Sequence, residues 1–177
     1  PFIMFPEGRH RPAHSLLPLG KGIMRTAVAA NEKFGKEKPV YIVPAGIEYG
    51  DYFRYRSTCL VSFGKPINAT EFINSLDVEN DVQLNEPLRK ELVERMSELI
   101  TYIPDDENLP AKWSLTKVLT AGFSSCNLVE KRDNNKKVIA QIEEAIQANP
   151  KKMTEILANA AAFDKTRRKA GISFRVL

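Results

Sequence analysis

Two stretches set the architecture: Phe2-Ile3-Met4-Phe5-Pro6-Glu7-Gly8-Arg9-His10-Arg11 and Val40-Tyr41-Ile42-Val43-Pro44-Ala45-Gly46. Each is a short apolar run stopped by Pro and Gly, the pattern of a buried strand that ends in a turn. Between them, Ile23, Ala27, Ala30 and Phe34 recur every three or four residues, with Arg25, Asn31, Glu32 and Lys33 among them. That spacing predicts an amphipathic helix over 22–34, stopped by Gly35. Strand, loop, helix and strand, with room for a crossover, predict parallel pairing in an α/β sheet with helices on its faces. A third apolar run, Cys59 to Phe63, follows a polar-aromatic stretch and is open to two readings, hairpin partner or edge strand.

After Pro66 the pattern changes. Leu88, Leu92, Met96, Leu99 and Ile103 mark one face of a predicted helix over 86–103, closed by Pro104. Further helices are predicted from 114 to about 122, over 135–148 and from 150 to about 169. Asn149-Pro150 forms a cap-and-start junction between the last two. The expected fold class is therefore α/β, a truncated, mostly parallel sheet with flanking helices, plus an all-helical C-terminal extension. The division is placed at 1–104 and 105–177.

Ten basic and five acidic residues lie within 1–66, although the whole chain carries only +4. A positive field at that end suits an anionic small molecule, an anionic membrane or nucleic acid; a merely solvated basic face is the plainer alternative. The opening motif is where the charge becomes chemistry. Gly8 lets the backbone turn so that N–H groups converge, and Arg9 and Arg11 supply planar forks that match phosphate oxygens. Glu7 is placed to orient an arginine or bond a substrate hydroxyl. Lys21, before Gly22, adds a cation where a helix N-terminus adds positive potential. Cys59 and Cys126 have no metal-type spacing and read as reduced, partly buried thiols. No metal motif, P-loop, G-x-G-x-x-G or G-x-S-x-G occurs. Tyr49, Tyr52, Phe53, Arg54, Tyr55 and Arg56 form an aromatic-basic cluster suited to stacked bases, to a membrane interface, or simply to packing on its own sheet.

Taken in order, Phe5-Pro6-Glu7-Gly8, Lys21-Gly22 at a helix start, Ile42-Val43-Pro44 and Gly64-Lys65-Pro66-Ile67 resemble the second half of a glycerol-phosphate acyltransferase core. The family includes the lysophosphatidate (1-acylglycerol-3-phosphate) acyltransferases of phospholipid synthesis. The likeness covers about the first 67 residues and leaves the helical tail outside it. It implies that Glu7, Gly8, Arg9, His10, Arg11, Lys21 and Pro44 form a substrate-binding set, the first five around the acceptor phosphate. Arg9, His10 and Arg11 stand where the family usually has Thr, Arg and Ser, so the phosphate ligand is expected to be Arg9 or Arg11 rather than His10.

The resemblance further implies an acyl transfer from an acyl thioester, on coenzyme A or acyl carrier protein, to glycerol-phosphate or lysophosphatidate. No other cofactor is expected. Family catalysis uses an H-x-x-x-x-D pair as general base and its support. Here Ser15 and Leu19 stand five residues after His10 and His14, so neither histidine fits and no catalytic residue is assigned. The chain is expected to be a fragment that is inactive alone, with the His/Asp pair upstream. The expected setting is the cytoplasm, peripheral to the inner membrane face, with no nucleic-acid partner and a homodimer left open. The alternative is a non-catalytic module that binds anions or membrane surfaces.

Overall fold

The computed structural model describes the chain except residues 10, 77–80, 124, 173 and 175–177, and the side chains of 81–84. It divides into two compact units, Pro1–Ile100 and Thr101–Leu177.

In the first unit a loop leads into α1 (Gly22–Phe34), followed by β1 (Tyr41–Ile42), β2 (Ala45–Tyr49), β3 (Cys59–Phe63), β4 (Ile67–Asn68), α2 (Ala69–Ser75) and α3 (Asp81–Ser97). Strand β2 pairs antiparallel with β3, Ile47 opposite Val61, and β1 pairs antiparallel with β4, Ile42 opposite Ile67. Pro44 and Pro66 have no N–H to give a ladder, and the interruption lies at these prolines. Two residues, Val43 and Pro44, there oppose three, Gly64 to Pro66, so the register shifts by one across the break. Gly64 N–H donates to the Pro44 carbonyl at 2.9 Å and bridges it. The third apolar run is thus a hairpin partner.

The core of this unit joins Leu19, Met24 and Ala27 to Ile42, Ile67, Ala69, Leu88, Leu92 and Met96. Leu88, Leu92 and Met96 follow the expected four-residue step, but α3 begins at Asp81 and ends at Ser97. Leu99 and Ile103 therefore lie beyond it. Ser97 Oγ donates to the Glu94 carbonyl and Leu99 N–H to the Met96 carbonyl, which turns the chain before Pro104 is reached.

Three expectations need correction here. Residues 2–5 form no strand, and Phe2, Ile3 and Phe5 are 70%, 84% and 73% exposed. Apolar side chains do not make a strand without a neighbouring backbone to complete its hydrogen bonds, and among the described residues none pairs with this segment. The pairings that do form are antiparallel, because β1 takes its partner from the returning arm of the β2–β3 hairpin. The cysteines differ as well: both are free thiols, but both are exposed rather than partly buried.

The second unit contains α4 (Leu109–Leu119), α5 (Leu128–Ala148) and α6 (Pro150–Lys169). Helix α4 packs on both others, and Ala111, Ile139, Ile142, Met153, Leu157 and Ala160 are buried. Asn127 and Asn149 cap α5 and α6 by accepting from Val129 N–H and Lys152 N–H. Helix α4 starts five residues before the expected position, with Pro110 in its first turn, and α5 starts seven residues early at the Asn127 cap.

Candidate functional site

The opening motif folds as a tight turn. Pro6 has the fixed φ that the second position of a turn favours, and Gly8 N–H closes the turn on the Phe5 carbonyl at 3.1 Å. Gly8 then takes φ +66°, a left-handed conformation that costs other residues energy. The turn is fastened to the start of α1. Gly20 N–H donates to the Pro6 carbonyl at 2.7 Å. A side chain at Gly20 would press that carbonyl at 3.3 Å, and one at Gly22 would meet the Met4 sulfur at 3.6 Å. Two sequence blocks a dozen residues apart thus form one feature.

Glu7 supports this feature from within. Its Oε2 accepts from Leu17 N–H at 2.8 Å, tying the turn to a segment in which Ser15, Leu17 and Leu19 are buried. Arg11 is half-buried, and its Nη2 donates to Ser15 Oγ at 2.6 Å. Both side chains are committed to holding the loop. Arg9 and Lys21, in contrast, are exposed. Lys21 occupies the cap position of α1, makes no side-chain capping bond there, and is followed by a first turn without an acidic residue. The helix N-terminus keeps its positive end. The structure therefore divides the expected set: Arg9, Lys21 and the backbone of Gly8 face solvent, while Glu7 and Arg11 brace them. His10 lies outside the described residues.

Pro44 is held by the sheet. It is buried at the break between β1 and β2, where its carbonyl accepts from Gly64 N–H. The third and fourth motif blocks meet there, as the first and second meet at the turn. Leu17 and Gly20 were not among the expected site residues. They act through backbone N–H groups, and the only sequence signal was the Pro18/Gly20 punctuation.

Elsewhere in this unit, an open groove of about 310 Å³ lies beside Ile67, Glu71, Phe72 and Arg95. Arg95 is already paired with Glu91 at 2.6 Å. Among the described residues, no group of three or more His, Cys, Asp or Glu could hold a metal ion, and no helix is long and apolar enough to cross a membrane.

Comparison with known proteins adds one observation. The chain is 30% identical over 126 residues to glycerol-3-phosphate O-acyltransferase 1 of Saccharomyces cerevisiae, covering 69% of this chain. This chain is a distant relative of an acyltransferase. The match spans 16% of the yeast protein's length. No family model and no solved structure matches. A matched segment covering 69% of 177 residues must include 56–122 wherever it starts, so the similarity extends past residue 67 to α3 and α4.

Proposed function

We propose that the turn at Pro6–Arg9 and the start of α1 hold the phosphate of a glycerol-phosphate or lysophosphatidate acceptor during acyl transfer. Arg9 supplies a planar pair of donors, Lys21 a mobile charge, and the first free N–H groups of α1 a fixed dipole. Glu7 positions the turn through Leu17 rather than touching the ligand. The observation that carries this reading is the bond between Gly20 N–H and the Pro6 carbonyl, which ties the Arg9 turn to the cationic start of α1. The distant similarity to a glycerol-3-phosphate acyltransferase supports the substrate class.

In the proposed reaction the acceptor hydroxyl attacks the thioester carbonyl, its proton passes to a base, and the thiol leaves. Residues 1–177 contribute the grip on the acceptor. Neither His10 nor His14 is followed by the family's Asp, so the proposal gives the chain alone no acyl transfer. An acyltransferase-type α/β core, an acyl thioester donor on coenzyme A or acyl carrier protein, and a place at the inner membrane face are parts of the same proposal.

Titration calorimetry of the 177-residue chain with sn-glycerol 3-phosphate, using glycerol as control, tests the reading. Saturable heat with the phosphate alone is expected. Each of Arg9→Ala and Lys21→Ala should weaken binding about tenfold, the scale of one charge-assisted hydrogen bond. Equal affinity for glycerol, or variants that bind as the parent does, would refute it.

A further inference from the structure

The β2–β3 hairpin carries a feature that phosphate binding does not use. Ala45, Ile47 and Tyr49 on β2 face Phe63, Val61 and Cys59 on β3, and these alternating positions form one side of the ladder. Ile47, Tyr49, Val61 and Phe63 are 42%, 51%, 50% and 73% exposed. The other side is covered: a side chain at Gly46 would strike Leu99 and Ile100. The exposed side has no charged residue along its whole length.

The tip extends the apolar side. Phe53 and Tyr55 are 82% and 85% exposed. Tyr49, Tyr52 and Phe53 stand edge to face in a chain, with ring centroids 5.6 and 5.0 Å apart. The loop is built rather than slack. Gly50 N–H donates to the Thr58 carbonyl, Phe53 N–H to Asp51 Oδ1, and Arg56 turns the backbone at φ +57°. Arg54 and Arg56 are exposed beside the rings, and the guanidinium of Arg56 lies 5.6 Å from the Tyr55 ring centre. The tip's acid, Asp51, is half-buried and spends an oxygen on the turn.

We infer that this hairpin is a lipid-docking surface: the tip enters the headgroup region of an anionic bilayer, and the Ile47/Val61/Phe63 side lies against it. Tyrosines with arginines are the residue pairing of the membrane–water interface, and two exposed cations without an exposed acid complement anionic headgroups. Aliphatic Ile47 and Val61 fit acyl chains and offer nothing to stack on a base, which favours lipid over single-stranded nucleic acid. The inference stands on the hairpin alone and not on the acyltransferase reading.

Sedimentation of the full chain with vesicles of phosphatidylcholine and phosphatidylglycerol, against phosphatidylcholine alone, tests it. Binding should grow with anionic lipid content. Arg54→Gln and Arg56→Gln should each lower partitioning about fivefold, and the Phe53→Ser/Tyr55→Ser pair should abolish it, with circular dichroism confirming that each variant folds. An environment-sensitive dye on Cys59 in the Cys126→Ser chain should brighten on vesicles, and the same dye on Cys126 in the Cys59→Ser chain should not. Vesicle binding that the tip variants leave unchanged would overturn the inference. So would a self-associated chain without vesicle binding that the tip variants render monomeric, or tip-dependent binding of a single-stranded oligonucleotide instead of vesicles.

Discussion

Glu7 and Arg9 are two residues apart and serve different ends. The Glu7 carboxylate accepts from a backbone N–H ten residues on, whereas Arg9 reaches solvent. Glu7→Ala leaves the Leu17 N–H without its acceptor in a partly buried setting and should cost about 1–3 kcal/mol in chemical denaturation. Arg9→Ala should shift stability by less than about 0.5 kcal/mol, because surface changes away from special features rarely do more. The effect proposed for it is on phosphate affinity. Gly8→Ala has open space for a methyl group but must keep φ +66°, so a loss of about 1–2 kcal/mol is expected from backbone strain alone. The residue types of the motif are what suggest an anion site. The division of labour among Glu7, Arg9 and Arg11 was not legible in them, because it depends on Leu17 and Ser15, whose approach no local pattern encodes.

Among the elements, the helices marked by local periodicity were recognised, though the starts of α3, α4 and α5 were placed five to seven residues late, and the strand pairings were not recognised. The bounds of α1 and α6 follow from Gly35 and from Asn149-Pro150, signals that act within one turn. Residues 2–5 have the composition of a buried strand, yet Phe2, Ile3 and Phe5 lie exposed, since a strand is completed by another backbone rather than by its own side chains. The same limit left Cys59–Phe63 undecided until its register with β2 was seen. That register gives a sharp prediction. Gly46 is on the covered side of β2, where a Cβ would stand 2.7 Å from Ile100 Cγ2 and 2.8 Å from Leu99 Cβ. Gly46→Ala should destabilise the first unit by about 1–3 kcal/mol, the usual cost of overpacking, read as a lower denaturation midpoint. Gly122→Ala, with nothing within 4 Å, is the control.

For the molecule as a whole, pH dependence reports two charge clusters of the second unit. Lys112 is almost fully buried, with Asp106 at 2.7 Å and Glu143 at 2.8 Å. Burial works against its charge, but hydrogen bonds and attraction from the two carboxylates outweigh it and hold its pKa above 10.5. Burial likewise opposes the charge of Asp164, and Arg167 and Arg168, each at 2.6 Å, hold its carboxyl below 3.8. A raised lysine contributes fully below its unfolded value and loses that contribution only as pH rises through the raised one; a lowered carboxylate contributes above its unfolded value and loses it as pH falls. Stability should therefore vary little from these groups between about pH 5 and 9 and decline on both sides. Asp164→Asn should flatten the acid decline in a urea midpoint series, and Lys112→Met the alkaline one.

The central claim concerns the other unit, that Arg9 and Lys21 share one phosphate. It is tested most directly by amide chemical shifts of the isotope-labelled chain titrated with sn-glycerol 3-phosphate. Saturable shifts should centre on Gly8, Arg9, Lys21 and Gly22 and vanish in the Arg9→Ala/Lys21→Ala chain. Shifts centred elsewhere, or unchanged in the double variant, would contradict the account.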